Sequence, residues 1–370
     1  GQQQLVEIAK ALSKDVKLLI LDEPTSALNE EDSQNLLKLM KEFKARGITC
    51  LMISHKLGEI AQVSDAVTVI RDGKTVETYD VVAGEVDEDR IIRAMVGRSI
   101  ENRYPDHESH PGRVLLKVSD WNVESGIIPG RMLAKDSSFF VRAGEIVGFA
   151  GLMGAGRTEL ARSIFGRSFG TFISGTLELD GEVVELRNVS QAIKKGIAYV
   201  PEDRKTLGLN LLDSIRHTIV SANLKGVIRN GLLDRGEEAS IAEKYREDLR
   251  IKAPSIDTGV VTLSGGNQQK VVLAKWMFPD PKILILDEPT RGIDVGAKYE
   301  IYKLIHALAD EGKGVVVISS ELPELLGICD RIYTICEGEI TGVMDRSEAT
   351  QESLMRRMTT LRTPKSAKAS

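Results

Sequence analysis

The sequence predicts an α/β fold: a parallel sheet flanked by helices, with a phosphate-binding turn at one strand end and a partial second copy of the same unit. Three observations carry this. The first is Gly151-Leu152-Met153-Gly154-Ala155-Gly156-Arg157-Thr158, between an apolar strand and a helix, which fits the phosphate-loop pattern G-x-x-x-x-G-K-[ST] except that Arg157 takes the lysine position. The second is Ile283–Glu288, four apolar residues ending in two carboxylates, in the manner of a buried parallel strand whose carboxyl end faces a ligand. The third is an internal repeat. Leu19-Ile20-Leu21-Asp22-Glu23-Pro24-Thr25 recurs as Leu284-Ile285-Leu286-Asp287-Glu288-Pro289-Thr290, an offset of 287 − 22 = 265.

The same offset pairs Gly1 with Gly266, Ser54 with Ser319, Asp65 with Asp330 and Gly73 with Gly338. Residues 1–75 therefore read as a second copy of 266–340. Because Gly266 lies 266 − 156 = 110 positions after Gly156, a phosphate loop for the first copy is expected about 110 residues before Gly1. Without that front half, residues 1–97 are expected to expose apolar sheet surface, and the chain to be poorly soluble or its first domain to depend on the second.

Taken in order, Gln2–Ser13 has helical apolar spacing, and Lys17–Asp22 is a short apolar strand of the kind buried on both faces. Glu30–Arg46 is an amphipathic helix closed by Gly47. Thr49–Ser54 and Ala66–Arg71 read as strands and Glu88–Val96 as a helix stopped by Gly97. A polar linker with His107 and His110, read as solvated rather than metal-binding, spans residues 100–113. The second domain, 114–345, opens with strands at Val114–Val118, Ser137–Val141 and Glu145–Ala150, then the phosphate loop and a helix from Thr158 to about Phe165. Residues from about 207 to 262 read as a charged, mostly helical subdomain. Residues 346–370 read as a C-terminal helix and a disordered tail, with 1–99 the C-terminal part of the first domain.

At 370 residues, 42% hydrophobic and 28% charged, the chain reads as globular and long enough for two domains. A net charge of −5 gives no general case for nucleic acid. No apolar run reaches the roughly 20 residues of a membrane span, which leaves only a peripheral membrane role. Cys50, Cys329 and Cys336 lack metal-ligand spacing and read as reduced thiols.

The phosphate loop supplies inward-pointing amides from Gly151, Gly154, Ala155 and Gly156, and a helix amino terminus for an anion. Thr158 offers a hydroxyl to Mg²⁺, Asp287 a carboxylate to the same ion, and Glu288 a base for an attacking water. Arg157 keeps the charge but exchanges a compact ammonium for a planar fork. Ser264-Gly265-Gly266, before a further helix, is an N-cap and second anion site.

Phosphate loop, LSGGNQQ and LILDEPT, in that order and spacing, resemble the nucleotide-binding domain of ABC ATPases over nearly the whole chain. GLMGAGRTEL at 151–160, YVPEDRK at 199–205 and the tandem arrangement resemble the ATPase subunits of bacterial monosaccharide importers, the ribose, xylose, galactose and arabinose group. The resemblance implies a P-loop ABC ATPase domain with a helical subdomain, using ATP and Mg²⁺. It implies a head-to-tail sandwich in which each ATP lies between one domain's phosphate loop and the other's signature loop. Asp22, Glu23 and Glu288 then take the metal and catalytic carboxylate positions, and His55 the switch histidine. In the second copy that histidine is Ser320. Glu202 replaces a usual glutamine, and Asn29 an acidic residue kept as Asp294. No aromatic upstream of Gly151, Trp121 included, is well placed to stack on adenine. These departures imply a second site that binds nucleotide but turns over poorly, and a competent site combining Asp22, Glu23 and His55 with Ser264–Gly266. The implied partners are integral membrane permease subunits and, indirectly, a periplasmic or extracellular sugar-binding protein, with the chain peripheral at the cytoplasmic face and no nucleic acid bound. The competing readings are a tandem ABC ATPase acting on ribosomes or DNA, disfavoured by Arg157 and a mixed-charge linker, and a non-catalytic nucleotide-binding fragment.

Overall fold

The computed structural model describes residues 16–25, 28, 30–54, 56–71, 73–81, 88–96 and 104–360, with Val6 and Lys10. The chain divides into two compact units, one of residues 1–101 with 294–296, the other of residues 102–293 with 297–370.

In the first unit, β1 (Leu18–Asp22) and β2 (Thr49–Ile53) pair in parallel, joined by a helix at Glu30–Ala45. That helix buries Leu36, Leu37, Met40 and Phe43 against Leu19 and Leu21, a stripe with helical spacing meeting one face of a strand. Gly47 ends it in the left-handed region, with φ of +83°, and Ile48 donates back to the Phe43 carbonyl at 3.0 Å. Leu18, Ile20, Leu51 and Ile53, on the other face, are half or more exposed. The expectation of a strand buried on both faces is thus corrected for β1: the described residues put a helix on one face only. β3 (Ala66–Arg71) and β4 (Lys74–Asp80) form a separate hairpin, and a helix follows at Glu88–Val96. Of the expected helix at Gln2–Ser13 only Val6 and Lys10 are described, both helical.

The second unit is built on a ten-stranded mixed sheet. Five parallel strands run β10 (Ile197–Val200), β13 (Ile283–Asp287), β14 (Gly314–Ile318), β7 (Ile146–Gly151) and β15 (Arg331–Cys336). β16 (Glu339–Asp345) turns back on β15, and β6 (Met132–Arg142), β5 (Val114–Glu124), β8 (Thr171–Leu179) and β9 (Glu182–Val183) continue the sheet. β7, β13 and β14 are buried at every position, as continuous apolar runs under helices on both faces require. The heptapeptide LILDEPT thus occupies two environments, its strand half-exposed in the first unit and fully covered in the second.

The segment at about 207–262 is mostly helical, as expected, but it also carries a hairpin. Helices at Ile215–Val220 and Arg235–Asp248 flank a small hairpin of β11 (Ile228–Arg229) and β12 (Leu232–Leu233). Its turn, Asn230-Gly231, has φ of +50° and +80°, the pair of positive angles that Asn-Gly supplies at low cost.

The expected solvated linker is also corrected. His107 is packed, its ring stacked on buried His306 at 4.3 Å and its Nε2 3.0 Å from Asp310 Oδ1. Burial, reinforced by His107, pushes His306 down to about 4, so it is the neutral imidazole that stacks. Tyr104 lies across Gly327 and 5.4 Å from the Tyr302 ring. The residues adopt this because the helix Leu322–Ile328 presents a bare Cα to the ring. His110 remains exposed. A helix at Gln351–Met358 ends the described chain; the tail 361–370 lies outside it.

A Cβ on Gly327 would stand 2.3 Å from Tyr104. Gly327→Ala is expected to destabilise the second unit by about 1–3 kcal/mol, as overpacking does. Tyr104→Ala combined with it should cost less than the sum, because the second change makes room for the first. Thermal melting of the three variants checks this, and strict additivity would show that the ring does not occupy the Gly327 slot.

Candidate nucleotide-binding site

Three parallel strands deliver the site. Asp287 pairs in register with Ile318, and Ile318 with Phe149. The turn after β7, the carboxylates ending β13 and Ser319-Ser320 after β14 therefore emerge together at the carboxyl edge, where open α/β sheets bind ligands.

After β7 the chain turns through Gly154 and Gly156, with φ of +79° and +102°. Gly156 needs to be glycine twice over: its φ is left-handed, and a Cβ would stand 2.7 Å from the Leu133 carbonyl. It caps the helix Arg157–Ile164. Ala155 is buried, and its carbonyl accepts from Gly338 N–H at 2.8 Å, which ties the loop to the turn between β15 and β16.

Arg157 does not stay within the loop. Its guanidinium donates to the Ser319 carbonyl at 2.7 Å and stands 3.6 Å from Glu288 Oε1, with both side chains largely buried. Ser320 donates to Glu288 Oε2 at 3.1 Å. Burial pushes the Glu288 carboxyl up to about 7 in spite of Arg157 and Ser320, which favour its charge. The backbone of Glu288 is left-handed, with φ of +47°, a conformation few non-glycine residues adopt. Its N–H is held by the Ile318 carbonyl at 2.8 Å.

Asp287 is fully buried. Tyr199 donates to its Oδ2 at 2.8 Å, while Oδ1 has no hydrogen-bond partner. Thr158 stands close enough to the Asp287 carboxyl to favour its charged form. Burial raises the Asp287 carboxyl above its ordinary range, and Tyr199, Thr158 and Arg157 oppose that. A buried carboxylate oxygen without a donor, beside a threonine hydroxyl, suits a small divalent cation with oxygen ligands.

Gly151, Gly154, Ala155, Gly156, Arg157, Thr158, Asp287, Glu288 and Ser320 are thus brought to one edge of the sheet. Ser264, Gly265 and Gly266 form a second cluster, at the start of the helix Gly265–Met277, beside Arg204, Gly292 and Ala297. Ser264 holds the N-cap position but makes no capping bond; its hydroxyl accepts from Asn267 instead, at 2.9 Å. In the first unit Asp22 ends β1, and Glu23 has φ of +44° with its N–H on the Ile53 carbonyl at 2.8 Å, the same turn as at Glu288. His55 and Asn29 lie outside the described residues. Trp121 is core, its Nε1 donating to Ser163 at 2.9 Å. Among the described residues no group of His, Cys, Asp or Glu is arranged for a metal on its own.

Sequence reasoning missed two contributors. Glu324, 1% exposed, accepts from Thr290 Oγ1 at 2.5 Å and lies against Ser319, so one carboxylate ties the turn after Glu288 to the end of β14. Glu59 and Thr25 make the same 2.5 Å bond in the first unit. The offset of 265 pairs these residues and would have found them. The other is Tyr199, quoted only within YVPEDRK, for which the sequence carried no signal of its contact with Asp287.

A family model described as "ABC transporter" matches residues 134–291. The L-arabinose transport ATP-binding protein AraG of Geobacillus stearothermophilus is 58% identical over 97% of this chain and 70% of its own length. The xylose import ATP-binding protein XylG of Thermoanaerobacter pseudethanolicus is 50% identical over 96% of this chain and 70% of its own. The chain belongs to the ABC transporter ATP-binding family. Among solved structures, a nucleotide-free ATP-binding cassette from an ABC transporter has a TM-score of 0.54 at 18% identity, covering 67% of this chain and 96% of the cassette. It shows a shared ABC fold. The phosphate loop, Asp287 and Glu288 of this ABC chain lie within the matched stretch, and Ser320 and Glu324 beyond it. Among the described residues no helix is long and apolar enough to cross a membrane.

The Glu288 carboxyl titrates higher folded than its ordinary 4.5, at about 7. Its contribution to stability is therefore complete below about pH 4.5 and lost as pH rises through about 7. Glu288→Gln keeps the neutral shape at every pH. The variant is expected to melt with the wild type near pH 4.5 and above it at pH 8, by up to about 3 kcal/mol. A stability difference that does not change over this range would contradict the buried, raised carboxyl.

Proposed function

We propose that the chain is the ATP-hydrolysing motor subunit of an ABC transporter that imports a monosaccharide. The observation that carries this is the edge at which phosphate loop, Asp287 and Glu288 converge, together with relatives named for arabinose, xylose and ribose/galactose import.

In this reading the loop amides and the helix start at Arg157 bind the phosphates of ATP. Thr158 and the free Asp287 oxygen hold Mg²⁺, which neutralises phosphate charge when bound. Glu288 orients and deprotonates the attacking water, for which its proton must be gone. Asp22, Glu23 and His55 are proposed for the corresponding metal, catalytic and switch roles of the first copy, and Ser264, Gly265 and Gly266 as a second nucleotide-binding cluster. The domain bounds are those read from the sequence, 1–99, 114–345 with its subdomain, and 346–370 beyond it, with Tyr104 and His107 packed on the second unit rather than part of a free linker.

Two features support slow turnover at the second site. Arg157 is engaged by the Ser319 carbonyl and Glu288, so phosphate must compete for it. Ser320 stands where the first copy has His55 and offers a short neutral hydroxyl instead of an imidazole. A protein partner is supported by exposed apolar side chains on the inserted segment: Leu212 at 97% and Leu232 at 75%, with Leu207 and Leu224 also exposed. Integral membrane permease subunits are the partners proposed for it, with a sugar-binding protein outside the membrane and the chain peripheral at the cytoplasmic face. The near-balanced charge argues against a nucleic-acid role.

The test is MgATP binding and turnover by this chain beside Glu288→Gln. Both are expected to bind nucleotide, with slow hydrolysis at the second site of the wild type. Robust turnover abolished by Glu288→Gln would mean that Arg157 and Ser320 are tolerated, and would overturn the division into a competent and a slow site.

A further inference from the structure

The segment 199–204 grips the stretch that carries the site carboxylates at both ends. Tyr199 donates to Asp287, Glu202 pairs with Arg291, and Arg204 donates to the Arg291 and Gly292 carbonyls at 2.9 and 3.2 Å. The Tyr199 contact follows from register. Tyr199 pairs with Ile285 across the parallel β10 and β13, and residue 287 lies on the same face, two positions on. Two strand residues rise about 6.6 Å, the reach of a tyrosine side chain. The ring has little freedom, since Phe165 packs on it at 5.7 Å and Trp276 packs on Phe165 at 5.6 Å.

A carboxylate rotates easily about its last bond, and nothing in an apolar pocket selects which oxygen faces outward. With Oδ2 held by the hydroxyl, Oδ1 is the oxygen left without a hydrogen-bond partner, on a carboxylate whose charge the nearby Thr158 favours. We propose that Tyr199 is a positioning residue for the divalent cation: its hydroxyl fixes Asp287 so that one oxygen is presented, unpaired, to the ion. The proposal rests on the reading of Asp287 and Thr158 as metal ligands, and does not require turnover.

The experiment measures the affinity of the whole chain for a fluorescent ATP analogue with Mg²⁺ and with EDTA, for wild type, Tyr199→Phe and Asp287→Asn. Binding of Mn²⁺ with ATP, followed by electron paramagnetic resonance, supplies a direct count of the ion, and thermal melting reports folding. In the wild type Mg²⁺ is expected to tighten binding. Tyr199→Phe keeps the ring and its packing; it should lose about tenfold of that gain, the scale of one hydrogen bond to a charged group, with metal-free affinity changed less than twofold. Mn²⁺ binding should weaken in parallel. Retention of the full Mg²⁺ gain by Tyr199→Phe, or equal losses with and without metal, would overturn the proposal. If Asp287→Asn loses the gain while Tyr199→Phe keeps it, only the role of Tyr199 fails. If Asp287→Asn keeps it too, or the wild type shows none, Asp287 is not a ligand and both readings fall.

Discussion

Two carboxylates at the end of one buried strand set the terms for the second unit. An ionised carboxylate without partners is costly in an apolar interior, and here Asp287 is fully covered and Glu288 nearly so. Polar neighbours offset that cost, while Glu159 and Glu324 add to it. Tyr199 meets one oxygen of Asp287, Ser320 meets Glu288, and Arg157 crosses from its own helix to lie between Glu288 and the Ser319 carbonyl. The backbone answers as well. Glu288 turns through a left-handed φ so that its N–H closes on β14, and Thr290, two residues on, is anchored by the buried Glu324.

The first unit repeats the framework of this turn, but Asp22 is exposed where Asp287 is buried. Glu23 has the same positive φ, the same amide bond to the neighbouring strand, and the same threonine–glutamate brace two residues on. The strand leading to it is covered on one face only. The local geometry therefore belongs to the heptapeptide and its brace, while the electrostatics belong to the layers around it. Identical residues consequently need not share ionisation behaviour, and a role carried from one copy to the other by sequence alone transfers the shape of the turn more securely than its chemistry.

This separation explains what was legible in the sequence. The phosphate loop, β7 and β13 were readable because each rests on local signals: glycines for positive φ, and uninterrupted apolar runs for doubly covered strands. The repeat disclosed the carboxylate turn, and taken two turns further it discloses Glu59 and Glu324. Contacts made by folding back were not readable. Tyr199 reaches Asp287 only through the pairing of β10 with β13, and His107 is packed only because His306 lies 199 positions later, on the helix Val295–Asp310. The hairpin at Ile228–Leu233 is a different kind of miss, since its Asn-Gly turn was in plain view within a segment read as helical.

Arg157 shows why one substitution in a motif can matter more than its conserved charge suggests. A lysine ammonium is a point charge on a flexible stem, and it can follow a phosphate with one donor and release its other contacts singly. A guanidinium is a planar fork that holds two acceptors at once, here a backbone carbonyl and a carboxylate on neighbouring strands. Moving it breaks both together and leaves the buried Glu288 with Ser320 alone. The cation of the loop is therefore the one that the buried Glu288 carboxylate depends on, and any phosphate that sought it would compete with that contact, a competition written into the choice of arginine.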